Sequence, residues 1–124
     1  MSAIASLDVP KIEGLTVEVK PGSLKLKGTI THHEPSRPLA GFFRALHLDT
    51  VQQRSPEFAV DVAELTFVNS SSIRLFIDWA VWVKGESSHR YLLKFRTSRS
   101  ITWQQTAFQA LASLMAEIVR VERA

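Results

Sequence analysis

Apolar and polar residues alternate with a period of two from about residue 15 to residue 31, a pattern typical of strands with one buried and one solvent-facing side. The pair Pro21-Gly22 interrupts the alternation. It suits a type II turn, because proline presets φ at one central position and glycine accepts a positive φ at the next. We therefore predict a β-hairpin over residues 14 to 32, with Leu24 and Leu26 buried and Lys25 and Lys27 on its open side.

After the hairpin, segments with a helical pattern alternate with segments with an extended pattern. A helix is predicted over residues 37 to 53, followed by the short apolar strand "FAVDV". A second helix begins after a run of serines and is apolar over most of its circumference, which indicates contacts on several sides. The segment "RYLLKF" predicts another strand. A last helix carries an apolar stripe formed by Phe108, Leu111, Ala112, Met115 and Val119.

The order β-β-α-β-α-β-α predicts an α/β fold in a single domain that covers residues 1–124, with its core at about 14–120. Because the open side of the hairpin is polar, we expect a mixed sheet of about four strands with all helices packed on one face. On the second helix we expect Ile77 to be buried, so that Ile77→Asp would unfold the domain.

Composition and charge exclude several classes of protein. The 124 residues include no cysteine, which rules out disulfides and thiolate metal ligands. The net charge is +3, but the basic residues alternate with apolar ones, which favours a solvated strand face over a basic docking patch or a nucleic-acid partner. The N-terminus does not resemble a signal peptide, and no run of about 20 apolar residues occurs. We expect a cytoplasmic protein without a membrane span.

The run Asn69-Ser70-Ser71-Ser72 is the clearest candidate for a functional site in the sequence. Asparagine and serine are favoured at helix N-caps, because their side chains accept hydrogen bonds from free N–H groups of the first turn. One cap accounts for one such side chain and leaves the other hydroxyls unexplained. The sequence therefore allows two interpretations of this run, namely helix capping alone and a site of covalent modification.

Signatures of catalysis and of metal binding are missing from the sequence. No G-x-S-x-G elbow surrounds the serines, and no histidine is linked to Ser70 by spacing. His32 and His33 are adjacent, so on a strand they would point to opposite faces, and no H-E-x-x-H motif or glycine-rich phosphate loop occurs. We predict no enzymatic activity, no metal site and no cofactor.

The segment "VDVAELTFVNSSSIRLF" resembles the signature of STAS domains in anti-sigma-factor antagonists. Asp61 falls on the Asp at the end of the family's strand, and Phe67 on its Phe. Ser70 falls on the serine that the family's kinases phosphorylate, and Ser71 on the small residue after it. The element order from about residue 15 to 115 is also similar.

Two residues and the C-terminal part depart from the family pattern. Asn69 stands where the family usually has Asp, and Ser72 where it usually has Gly. The chain is predicted to end with one long helix after the fourth strand, whereas the usual family member adds a further strand and helix. The resemblance therefore implies a divergent, truncated branch.

The resemblance implies a partner switch controlled by phosphorylation of Ser70, with Ser71 as the alternative acceptor. Asn69, Ser71 and Ser72 would form the switch loop and the helix N-cap. A serine kinase of the histidine-kinase-like ATPase fold, acting as an anti-sigma-like protein, and a PP2C-type phosphatase would be the partners. The alternative is a constitutive scaffold or dimerisation module without phosphorylation.

Trp79 and Trp82 are candidate contacts on the second helix. Both lie on its second apolar face, and aromatic residues are enriched in interfaces. Packing against a neighbouring helix of the same chain is the other explanation. The sequence is also compatible with a homodimer.

Overall fold

The computed structural model describes residues 9–31 and 36–123, without the side chains of residues 36–38, and these form an α/β fold. One mixed sheet contains five strands, and three helices connect its parallel strands. The strands are β1 (Leu15–Lys20), β2 (Ser23–Ile30), β3 (Glu57–Val68), β4 (Leu92–Thr97) and β5 (Val119–Arg123). The helices are α1 (Ser36–Gln52), α2 (Ser70–Gly85) and α3 (Thr102–Leu114).

The predicted hairpin is confirmed by β1 and β2, which pair antiparallel around the turn at Gly22, where φ is +82°. From β2 onward each strand pairs in parallel with the next, so the spatial order follows the chain order. Crossovers between parallel strands are almost always right-handed. With this strand order, right-handed crossovers place all three helices on the same face of the sheet.

The opposite face of the sheet is open and charged. Register places Glu18, Lys25, Asp61, Arg96 and Glu122 side by side on the five strands, so the sign of the charge alternates across the sheet. The Lys25 ammonium lies 2.8 Å from a Glu64 carboxylate oxygen, and Arg96 lies 3.4 Å from Asp61. Many of the basic residues therefore have acidic neighbours, as a solvated strand face requires.

Aromatic rings join the helices to the sheet on the covered face. Phe76 of α2 lies edge-on to Phe95 of β4 at 6.0 Å and to Phe108 of α3 at 5.5 Å, measured between ring centroids. Leu24 and Leu26 are buried on β2, as predicted, and Val60 and Val62 continue the core across β3. Alternate residues of each strand thus point into one continuous core.

The fifth strand corrects the sequence-based fold. A stripe that ended at Val119 predicted a continuous last helix and about four strands, but α3 ends at Leu114 and Val119–Arg123 form β5. Val119 and Val121 alternate with charged residues, and Val119 is buried beside Leu93 of β4. Val119 fits both the helical spacing of the α3 stripe and the alternation of a strand. It lies in a strand because this segment pairs with the edge of β4.

The outer side of α2 also differs from the prediction. Ile77 is 41% exposed and Val81 is 49% exposed, so the expectation that Ile77 belongs to the core is wrong. The helices form one layer, and no described element covers α2 from outside. Ile77→Asp should therefore leave the domain folded.

We expect two glycines of the hairpin to differ sharply in their tolerance of alanine. Both have a positive φ, but a Cβ at Gly22 would meet nothing, whereas a Cβ at Gly28 would overlap the Gly14 carbonyl oxygen. Gly22→Ala should cost about 1–2 kcal/mol through backbone strain alone. Gly28→Ala should cost about 3 kcal/mol or more, because overpacking adds to the strain. Urea unfolding measures both, and equal losses would contradict the close approach of the backbones.

Candidate functional site

The serine run forms the junction at which β3 passes directly into α2. Asn69 is the N-cap, in an extended conformation with φ −73° and ψ 164°. Its side-chain oxygen accepts a hydrogen bond of 3.0 Å from the Ser72 N–H. Its backbone carbonyl accepts one of 3.2 Å from the Ile73 N–H. The Asn69 side chain thus satisfies one of the N–H groups that a helix leaves free at its start, and its carbonyl accepts the first bond of the helix.

The three serine hydroxyls have different surroundings. Ser70 and Ser71 lie in the first turn of α2 and are exposed. Ser72 is fully buried, and its hydroxyl has no hydrogen-bond partner among the described residues. An enzyme acting on the folded protein can therefore reach Ser70 or Ser71 but not Ser72.

The electrostatic environment of this junction favours an added negative charge. The first turn of α2 contains no acidic residue, and the helix N-terminus carries a partial positive charge. Arg74 is exposed and lies four residues after Ser70, a spacing at which side chains of a helix are neighbours. A phosphate on Ser70 would meet attraction from both.

The junction is held in place from both sides. On one side, the Asn69 N–H donates a hydrogen bond of 3.0 Å to the Ile30 carbonyl at the end of β2. On the side away from β2, β4 pairs only with Glu57–Asp61, so the rest of β3 has no strand on that side among the described residues.

Side chains from the first turn of α3 replace that missing strand. The Gln104 side-chain amide donates to the Val62 and Leu65 carbonyls, the latter at 2.8 Å, and the Trp103 indole N–H donates to Thr66 at 2.9 Å. Sequence reasoning missed this contact because its partners are far apart in the chain.

Phe67, three residues before Ser70 at the end of β3, adds an exposed aromatic ring to the junction. It is 51% exposed, while the next residue, Val68, points into the core. The junction therefore offers two accessible hydroxyls next to an apolar contact surface.

The two tryptophans of α2 have different environments. Trp79 is fully buried, and its indole N–H donates a hydrogen bond of 2.8 Å to the Tyr91 hydroxyl. Trp82 is half-buried, and the Arg44 guanidinium lies 5.1 Å from its ring centroid. The burial of Trp79 removes it from the accessible surface, so the predicted interface role remains a prediction for Trp82 alone.

A buried polar chain lies at the other end of α2 and was also missed by sequence reasoning. Because the Tyr91 oxygen accepts from Trp79, the Tyr91 hydroxyl donates to Nδ1 of His47 at 2.8 Å. Nε2 of His47 then carries the single ring proton of the neutral imidazole, 3.4 Å from a Glu86 carboxylate oxygen.

Burial, together with the nearby Arg44 charge, lowers the pKa of His47 below its usual value, although Glu86 acts in the opposite direction. Burial raises the pKa of Tyr91. Both side chains are inaccessible to a substrate, so this chain of hydrogen bonds joins α1, α2 and β4 and is not a catalytic triad.

Other features of the described residues lie apart from the junction. A shallow depression of about 270 Å³ lies on the open sheet face over Ser23 and Ala59, among charged side chains.

No group of three or more His, Asp or Glu side chains in residues 9–31 and 36–123 is arranged to hold a metal ion. His32 and His33 lie outside the described residues. In the described part of the chain, every helix is too short or too polar to span a membrane.

No family model matches the chain, and no curated protein matches it. The geometry of the β3–α2 junction is therefore the basis on which a function can be proposed.

We expect Asn69→Ala to destabilise the protein by about 1 kcal/mol, because it removes the side-chain cap on the Ser72 N–H. Asn69→Asp keeps the capping oxygen and adds a negative charge at the positive end of α2, so it should be neutral or stabilising by a few tenths of a kcal/mol. Thermal unfolding compares the two variants. A larger loss for Asn69→Asp than for Asn69→Ala would contradict the capping geometry.

We expect His47 to make the folded state sensitive to acid. Its pKa is lowered in the folded state, so the unfolded chain binds the proton first as the pH falls below about 6.5. The contribution of His47 to stability is complete above that pH and is lost progressively below it. His47→Gln should flatten the stability profile below pH 6.5 relative to wild type. Identical profiles in urea titrations at several pH values would contradict this assignment.

Proposed function

We propose that this protein is a STAS-like, non-enzymatic regulatory domain that switches partners when a serine at the β3–α2 junction is phosphorylated. Ser70 is the proposed acceptor and Ser71 the alternative. The observation that carries the proposal is the exposure of both hydroxyls on the first turn of a capped helix, in register with the segment that resembles the family signature.

The fold supports this assignment in one respect that the sequence did not. The resemblance implied a truncated branch, because the chain was predicted to end in a helix after the fourth strand. β5 follows α3 and lies parallel to β4, so the observed order contains the further strand that the family has. One of the three departures from the family pattern is therefore smaller than expected.

The two substituted residues are compatible with such a site. Asn69 supplies the capping oxygen that Asp would supply. Ser72 has its side chain inside the protein, so its additional atoms are not presented to a partner. The substitution of Gly by Ser is thus accommodated in the interior and leaves the accessible surface of the junction unchanged.

Phosphorylation would change the junction from a neutral surface into a charged one. Phosphoserine adds about −1.5 to −2 charges at neutral pH. The helix N-terminus and Arg74 stabilise that charge while it is in water, so α2 itself should persist. A partner that covers Phe67 and the first turn of α2 would have to remove water from the phosphate, and its affinity would fall.

The proposed partners are a cytoplasmic serine kinase of the histidine-kinase-like ATPase fold, related to anti-sigma factors, and a PP2C-type phosphatase. No catalytic role is proposed for the protein itself. A constitutive scaffold without phosphorylation is the competing function, and the same experiment distinguishes the two.

The experiment combines intact mass with binding. Protein isolated from its native cells should be heavier by one phosphate, and phosphatase treatment should remove the difference. Peptide mapping should place the phosphate on Ser70, or on Ser71. With the kinase encoded in the same genome, Ser70→Asp should lower affinity at least tenfold, which corresponds to about 1.4 kcal/mol. Ser70→Ala should bind like wild type and accept no phosphate.

Ser100→Ala is the matched control, because Ser100 is exposed in the loop before α3 and should leave both mass and affinity unchanged. Equal binding of wild type and Ser70→Asp, with no phosphate on any serine of the run, would exclude the switch. The protein would then be a scaffold whose serines serve capping and packing.

A further inference from the structure

The side of α2 that faces away from the sheet forms a continuous exposed strip, which we call the α2 seam. It lies opposite the buried positions Phe76, Trp79 and Val83 on the helix. Its members follow the three-and-four spacing that keeps residues on one helical face. They are Ser70, Arg74, Ile77, Asp78, Val81 and Gly85, all exposed except Asp78, which is half-buried.

The middle of the seam is apolar. Ile77 is 41% exposed and Val81 is 49% exposed, and they lie on successive turns of the same helix. Leu48 on the neighbouring helix α1 is also 49% exposed. Single exposed apolar residues are ordinary, but neighbouring ones on one face indicate a contact surface.

Two opposite charges border this apolar centre. Arg74 and Asp78 are four residues apart, and neither takes part in the ion pairs found among the described residues. Two such helices packed antiparallel about a two-fold axis bring Arg74 of each copy near Asp78 of the other. A parallel arrangement in register would place like charges opposite each other. The seam is therefore complementary to an antiparallel copy of itself.

Gly85 provides a second reason for the same arrangement. It is exposed, its φ is not in the left-handed region, and a Cβ there would meet nothing in this chain. Gly85 is the last residue of α2, and its missing side chain leaves room on this face for a second chain. An axis beside Ile77 places Ser70 opposite residue 84, one position from Gly85 of the second copy, where small residues allow close approach. The same axis places Arg74 opposite residue 80, two positions from Asp78, which its long side chain can reach.

We propose that the α2 seam is the interface of a symmetric, antiparallel homodimer, with its two-fold axis beside Ile77. The interface centres on one pair of helices and is smaller than a standard interface of about 1,600 Å². The dimer is therefore weak and reversible. The proposal does not depend on phosphorylation, and its tests need no kinase.

Charge exchange tests the antiparallel pairing. Sedimentation velocity over a concentration series should show wild type shifting from monomer to dimer. Arg74→Asp and Asp78→Arg should each raise the dissociation constant at least tenfold, because each places like charges together. The double variant Arg74→Asp/Asp78→Arg should restore dimerisation. Arg99→Asp is the control for net charge, since Arg99 is exposed in the β4–α3 loop and away from the seam, and it should dimerise like wild type.

Cross-linking tests the position of the axis. The chain has no native cysteine, so a single introduced cysteine reports one position without interference. Ile77→Cys should form a covalent dimer under mild oxidation, because a disulfide needs Cα atoms within about 7 Å. Leu114→Cys is the control, since Leu114 is 77% exposed but lies on α3. It should cross-link much more slowly, at the rate of random collision.

A wild type that stays monomeric at every concentration would overturn the proposal and leave the seam to a different partner. A dimer in which the double exchange restores nothing, or in which Leu114→Cys cross-links as fast as Ile77→Cys, would also overturn it.

Discussion

The right-handedness of parallel crossovers is the constraint on which this structure depends. Because β2 to β5 follow one another in space as they do in sequence, each crossover turns the same way and every helix lies on one face. The other face must then be polar on all five strands, and the alternating row from Glu18 to Glu122 meets that requirement. α2, between α1 and α3, is consequently apolar on three sides and exposed only along its outer strip.

Because α2 follows β3 with only Asn69 between them, its start lies at the carboxyl end of β3, the edge of an α/β sheet where functional groups usually lie. The two ends of α2 are held differently. At its N-terminus, the bonds from Asn69, Gln104 and Trp103 fix the backbone but leave Ser70 in solvent. At its C-terminus, the chain from Trp79 through Tyr91 to His47 is buried and ends at the partly exposed Glu86. The N-terminal end of α2 is thus accessible to a partner, whereas its C-terminal end is fixed to the rest of the protein by side-chain hydrogen bonds.

Local patterns predicted much of this fold and failed where distant residues decide. The existence of the hairpin, of the three helices and of the first four strands follows from periodicity. The length of β3 does not, since it continues to Val68, beyond the predicted segment FAVDV. β5 could not be predicted in this way, because Val119 fits both the helical and the strand period. Only pairing with the edge of β4 makes this segment a strand. Ile77 was assigned to the core because a helical wheel shows hydrophobicity but not how many layers surround a helix. The junction was located by its serines, yet the roles of Gln104 and His47 depend on partners about forty residues away along the chain.

Ser70 belongs both to the proposed phosphorylation site and to the α2 seam, and this overlap has a physical consequence. In an antiparallel dimer its hydroxyl would lie close to Gly85 of the second copy, where a phosphate has neither space nor water. Arg74, which would attract that phosphate, is also the residue that would pair with Asp78 across the dimer. Phosphorylation would therefore remove both the close approach and the cross-chain ion pair. Under the two proposals, a dimer protects Ser70, and a phosphorylated chain is monomeric.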